Sequence, residues 1–244
     1  MGDFYETFDD DAEIVARILE ITLTSREFGK SNRIPMAGIP YHALNNYLGK
    51  LINKGYKVAL CEQVSDVSES KGIVDRAVVR VVTAGTIVED NMLDPKANNY
   101  LAAIVLGDEQ AGLAYTDITT GEFFTSQIPL DKLDAQLSVL DSQEILVHNT
   151  GVINSGDAHI SDLPKVCASI ENSTKALLSH FKVHSLDSFG LKGSPLAIQA
   201  SAGILAYLEN NQPEAVAALN TLKSFSLETY MVLDRQTVHN LELF

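Results

Sequence analysis

Residues 100–126 read YLAAIVLGDEQAGLAYTDITTGEFFTS, three strand-like runs (Tyr100 to Leu106, Gly112 to Asp117, Gly121 to Ser126) separated by gaps of turn length. Gly107-Asp108 and Thr119-Thr120-Gly121 supply the turns, so the stretch predicts a meander. Downstream, Leu130, Leu133, Leu137 and Leu140 repeat at helical spacing, residues 144–148 form a short strand, and residues 176–181 fit a further helix. This alternation defines an α/β unit over residues 99–194. Pro195 suits a first helical turn, and residues 196–209 continue as a helix with Ala200, Gly203, Ile204 and Tyr207 available to pack.

Upstream of the meander, Gly85, Pro95 and the polar run Glu89-Asp90-Asn91 mark residues 85–98 as a linker. Residues 1–84 form the first unit. Phe8, Ala12, Val15, Ile18 and Leu19 predict a helix over about residues 9–20, capped by Asp9, Asp10 and Asp11. Pro35 and Pro40 make residues 34–40 an ordered apolar loop. Leu44, Tyr47, Leu48, Leu51 and Ile52 form a second helical stripe ending near Gly55. Residues 57–61 read as a strand, and the β-branched run Val78, Val79, Val81, Val82 as a buried one.

The chain has 244 residues, 45% of them apolar and 20% charged, which is a globular composition. It has neither a membrane-length apolar run nor a basic-then-apolar N-terminus, so a cytoplasmic location with no membrane partner is expected. Cys61 and Cys167 have no zinc-site spacing, and a disulfide framework is not expected. The net charge of −14 opposes binding to nucleic acid, but the acidity is uneven. Residues 1–84 carry 10 basic and 12 acidic side chains, against 8 and 20 in residues 85–244. A polyanion is therefore expected to meet the first unit.

The N-terminal stretch Gly2-Asp3-Phe4-Tyr5-Glu6 carries an aromatic ring and a carboxylate two residues apart. In an extended segment Phe4 and Glu6 share one face while Tyr5 points the other way. A ring and a carboxylate projecting together can reach the same nucleotide, the ring wedging into a weakened base step.

Four motifs occur in order: Gly2-Asp3-Phe4-Tyr5-Glu6 with Phe8; residues 34–42, from Ile34 through Met36-Ala37-Gly38 to Tyr41-His42; Cys61-Glu62-Gln63; and Arg80-Val81-Val82-Thr83 with Gly85-Thr86. Together they resemble the N-terminal part of the MutS family of DNA mismatch-repair proteins. The resemblance continues more loosely through Asp117-Ile118-Thr119-Thr120-Gly121-Glu122-Phe123, and returns at Leu227-Glu228 and Asn240-Leu241-Glu242-Leu243.

The resemblance implies a multi-domain α/β fragment: a mixed-sheet mismatch-recognition domain over residues 1–84, an RNase H-like connector over 99–194, and the start of a helical core (lever) domain over 195–244. It implies that Phe4 stacks on the mispaired base from the minor groove, that Glu6 hydrogen-bonds to that base, and that Met36, Ala37, Gly38, Ile39 and Pro40 line the groove. Arg26, Lys30, Arg33, Arg76 and Arg80 are candidates for phosphate contacts. Implied partners are mismatched double-stranded DNA, a second subunit in a homodimer, and a MutL-type repair protein at the connector.

Neither Gly29-Lys30-Ser31 nor Gly49-Lys50 has the upstream glycine of a phosphate-binding loop, so no catalysis and no cofactor are expected of this chain. ATP and magnesium are implied for the full-length family member, and the chain's ending at Leu243-Phe244 reads as a truncation. Two alternatives stand beside this reading. One is a docking module acting through the acidic connector. The other is a metal-dependent nuclease using Asp117 and Glu122, with Asp141 and Glu144 as further ligands. His180 and His184, at i, i+4 spacing, are expected to be a surface pair rather than a metal site.

Overall fold

The computed structural model describes residues 4–28, 32–64, 75–95, 97–148 and 153–227. Gly2, Asp3, Lys30, Glu228 and residues 240–243 lie outside the described residues.

In the first unit, β1 (Phe4–Phe8) runs into α1 (Asp9–Leu19), whose first turn sets Asp9, Asp10 and Asp11 at the positive end of the helix dipole. Ala12 and Ala16 are small enough for the helix to lie close on Ala37, with which they form one apolar cluster. β2 (Thr24–Phe28) and β3 (Asn32–Pro40) complete an antiparallel sheet in the order β1-β3-β2. Residues 34–40, expected as a loop, are thus most of the central strand. The register explains why the prolines are tolerated. β1 pairs with residues 36–40 and β2 with residues 32–36, so Pro35 and Pro40 each have a strand neighbour on one side only. That is the edge condition under which a missing N–H does little harm.

α2 (Leu44–Ile52) buries Leu48, Leu51 and Ile52, and Gly55, at φ 85°, closes the turn that follows. β4 (Val58–Gln63) and β5 (Arg76–Val82) then form a separate antiparallel pair with an irregularity between Leu60 and Cys61. Of the valine run expected to be buried, Val82 is buried, whereas Val78 and Val79 are exposed by 55% and 44%. Leu60 and Val82 reach the cluster containing Leu48, Ile52 and Ile87, and Val58 packs against it, whereas Val78 and Val79 stay exposed.

The second unit begins with the meander β6 (Leu101–Leu106), β7 (Gln110–Asp117) and β8 (Glu122–Pro129), followed by α3 (Leu133–Leu140). β9 (Glu144–Val147) pairs parallel to β6, and β10 (His159–Asp162) parallel to β9. After α4 (Ile170–Phe181), α5 (Pro195–Asn211) and α6 (Pro213–Val216), β11 (Lys223–Ser224) pairs parallel to β8. The sheet order is β10-β9-β6-β7-β8-β11. Leu101 and Ala103 face a cluster built with α4 and α5, while Ala102 and Ile104 face one built with α3. Burial on both faces accounts for the unbroken apolar run of β6.

α5 corrects an expected boundary. It belongs to the second unit, because Ala197, Ala200, Ile204, Leu205 and Leu208 are part of the core over β6 and β7. Its approach is so close that a Cβ on Gly112 of β7 would lie 2.0 Å from the Leu196 carbonyl oxygen. Among the described residues no helix is long and apolar enough to cross a membrane.

The expected linker is an ordered seam at its start. Gly85, Thr86 and Ile87 are buried, and a capping box joins Thr83 to Thr86. At this seam the Glu144 carboxylate, 1% exposed, gathers donors from both units. One oxygen accepts from the Thr83 hydroxyl and, at 3.0 Å, from the Gly85 N–H. The other accepts from the Ser161 hydroxyl and, at 2.6 Å, from the Tyr207 hydroxyl, with Lys57 Nζ at 3.9 Å. A buried charge is stable only when so surrounded.

Candidate nucleic-acid interface

β1 presents Phe4 and Glu6 on the outer face of the three-stranded sheet. Residues opposite each other on antiparallel strands project to the same side. Phe4 is opposite Pro40, Glu6 opposite Gly38 and Phe8 opposite Met36, while across β3 Arg26 is opposite Ile34. Phe4 is 57% exposed, and Glu6 is exposed beside it. Both side chains lean over Gly38, where a Cβ would lie 3.6 Å from Phe4 Cδ1 and 3.9 Å from Glu6 Cγ.

The inner face carries Ala37 and Ile39, 1% and 8% exposed, packed among α1 and α2. Of the five residues expected to line a groove, Met36, Gly38 and Pro40 therefore share the face of Phe4, and Ala37 and Ile39 do not. Strand alternation, hidden when the segment is read as a loop, separates them.

The basic residues divide in the same way. Arg26 Nη1 pairs with Glu6 Oε2 at 3.0 Å, an exposed ion pair that contributes at most about 1 kcal/mol to stability. Arg33 pairs with Glu27 at 3.0 Å. Arg80, half-buried, is bonded to Glu89 just beyond the first unit. Arg76 is exposed at the start of β5.

Asp117 and Glu144, singled out for metal chemistry, hold hydrogen bonds instead. Asp117, 2% exposed, accepts from the Asn99 N–H at 2.9 Å with one oxygen. Its other oxygen accepts from the Thr119 N–H at 2.9 Å and the Thr119 hydroxyl at 2.6 Å. Glu144 is enclosed at the seam. Among the described residues no group of three metal-binding side chains converges. α4 ends at Phe181 and Lys182 turns left-handed, so His184 leaves the helix, and His180 Nε2 lies 2.7 Å from the Leu219 carbonyl oxygen.

A small sheet with one open, ring-bearing face, followed by an α/β sheet covered on both faces, defines a pair of α/β domains of different construction. The family model of MutS domain I matches residues 1–91 and that of MutS domain II matches residues 99–222, a range that includes α5. DNA mismatch repair protein MutS of Dehalococcoides mccartyi is 45% identical over 247 residues, taking in 100% of this chain and 29% of the relative. The proteins of the same name from Halothermothrix orenii and Synechococcus elongatus are each 40% identical, with 28% and 30% of their lengths covered. The chain belongs to the MutS family, and it spans about three tenths of the length of the curated relatives it matches.

Proposed function

We propose that the first domain recognises mispaired double-stranded DNA, with Phe4 entering from the minor groove as a wedge at the weakened base step and Glu6 meeting the opened base. The observation that carries this reading is the 57% exposure of Phe4 on a sheet face it shares with Glu6, since an aromatic ring of a folded domain is ordinarily buried. Unstacking a base step costs a few kcal/mol, less where pairing is already compromised, and stacking on a ring returns ~1–3 kcal/mol. These terms nearly cancel, so the ease of deforming the step decides whether the ring goes in. Every base offers a flat face, so one ring serves several mispairs.

In the same reading the longer protein pairs as a homodimer, binds ATP and magnesium outside these residues, and meets a MutL-type partner through the connector. Family membership supports these steps. Phe4→Ala tests the wedge. Low-salt titration with duplexes carrying one G·T mispair or none is expected to show the mispair preference falling about tenfold, the worth of one lost stacking interaction. An unchanged preference contradicts the reading.

A further inference from the structure

Three motifs far apart in the chain meet at one side chain. Tyr5 leaves β1 on the inner face, between Phe4 and Glu6 on the outer one. Its ring stacks on Tyr41, with centroids 5.4 Å apart and planes inclined by 15°. Tyr41 directly follows Pro40, the strand partner of Phe4. The Tyr5 hydroxyl donates to Glu62 Oε1 on β4, a strand of the other sheet in the domain. Burial and the neighbouring carboxylate both raise the phenol's affinity for its proton, so the group remains a donor.

The mechanical consequence follows from position. Among the described residues β1 is an edge strand, hydrogen-bonded to β3 alone. A duplex pressing on Phe4 loads that edge, and of two bodies pressed together the softer one yields. A compliant strand would retreat from intact and weakened duplexes alike, and the difference between them would be lost. A strand tied to a second sheet makes the DNA yield instead.

We propose that Tyr5, held by Tyr41 and Glu62, is a positioning residue that makes the Phe4–Glu6 face a stiff probe, and that its bond to Glu62 sets how sharply that face separates mispaired from paired DNA. The inference rests on the recognition reading and adds to it a residue that touches no DNA. Tyr5→Phe keeps the ring and its stack but removes the donor, and Glu62→Gln keeps an acceptor but removes the charge.

The test titrates the 244-residue chain and its variants with G·T and matched duplexes at low salt. Amide and ring NMR signals serve as the readout, because they register weak binding. Tyr5→Phe is expected to lower the ratio of mispaired to matched affinity by roughly three- to tenfold, with matched affinity unchanged, as for loss of a hydrogen bond to a charged group. Glu62→Gln is expected to raise affinity for both duplexes, through lost repulsion, and to lower the ratio less. The double variant should match Tyr5→Phe in the ratio, because the two residues are coupled there, while keeping the raised affinity of Glu62→Gln for both duplexes.

An unchanged ratio in Tyr5→Phe, or an equal fall for both duplexes, overturns the positioning role. A ratio lost in Phe4→Ala but kept in Tyr5→Phe overturns that role and spares the wedge. A ratio kept in Phe4→Ala overturns the recognition reading, and binding to neither duplex overturns both.

Discussion

The two larger sheets among the described residues bury different numbers of faces. The six-stranded sheet is covered on both sides, by α3 on one and by α4 and α5 on the other, and Leu101, Ala102, Ala103 and Ile104 are all buried. The three-stranded sheet buries Ala37 and Ile39 beneath α1 and α2 and leaves Phe4 and Glu6 outside. Two carboxylates make the same contrast. Glu144 is enclosed and bonded to donors from both domains, whereas exposed Glu6 is bonded to Arg26. Substitutions in the first sheet's outer face should therefore change binding and spare stability, and those around the second sheet should do the reverse.

The largest effect that can break this contrast is Glu144→Ala. It strands hydroxyl and amide donors at the seam, and urea denaturation should show a loss of about 4 kcal/mol. A loss below about 1 kcal/mol would mean that the seam holds nothing together. Gly112→Ala comes next, at roughly 3 kcal/mol, because its methyl would meet the Leu196 backbone at 2.0 Å. On the open sheet, where a Cβ on Gly38 meets only ordinary contacts, Gly38→Ala should stay within about 1 kcal/mol. Equal costs for the two glycines would erase the distinction between the sheets.

The smallest effect concerns the two thiols. Cys61 is exposed on β4, whereas Cys167 is 2% exposed and burial pushes its thiol up to about 12. The thiolate is the reactive form, so iodoacetamide at about pH 8 should give one adduct by mass spectrometry, at Cys61, until the chain is unfolded. Raising the pH toward 12 should bring Cys167 into reaction. Two adducts on the native chain at the lower pH would show that the second core opens readily.

Much of this architecture was legible in local pattern. The helical stripes marked α1, α2 and α3, and period-two alternation placed Phe4 and Glu6 on one face before any partner strand was known. β3 was obscured because prolines signal a loop, and their tolerance depends on where β1 and β2 stop. β5 misled in the opposite sense, since β-branched residues favour strands whether or not another layer covers them. α5 was assigned to the wrong unit because its small residues fit any close packing, and only the approach of Gly112 identifies the partner. The bonds of Tyr5 to Glu62 and of Tyr207 to Glu144 span 57 and 63 residues, and no periodicity encodes a hydrogen bond across such distances. The Cys61-Glu62-Gln63 and Tyr41-His42 motifs were visible as motifs, but their meeting point was not.

The central claim is that Phe4 is an exposed ring reaching the weakened step itself. Intermolecular NOEs between the chain, with its Phe4 ring protons selectively labelled, and a duplex carrying one G·T mispair test it directly. The account predicts contacts from the Phe4 ring to minor-groove protons of the mispaired nucleotide and its stacked neighbour, absent with matched DNA. Contacts confined to the β4–β5 pair, with the Phe4 ring remaining in water, would contradict it.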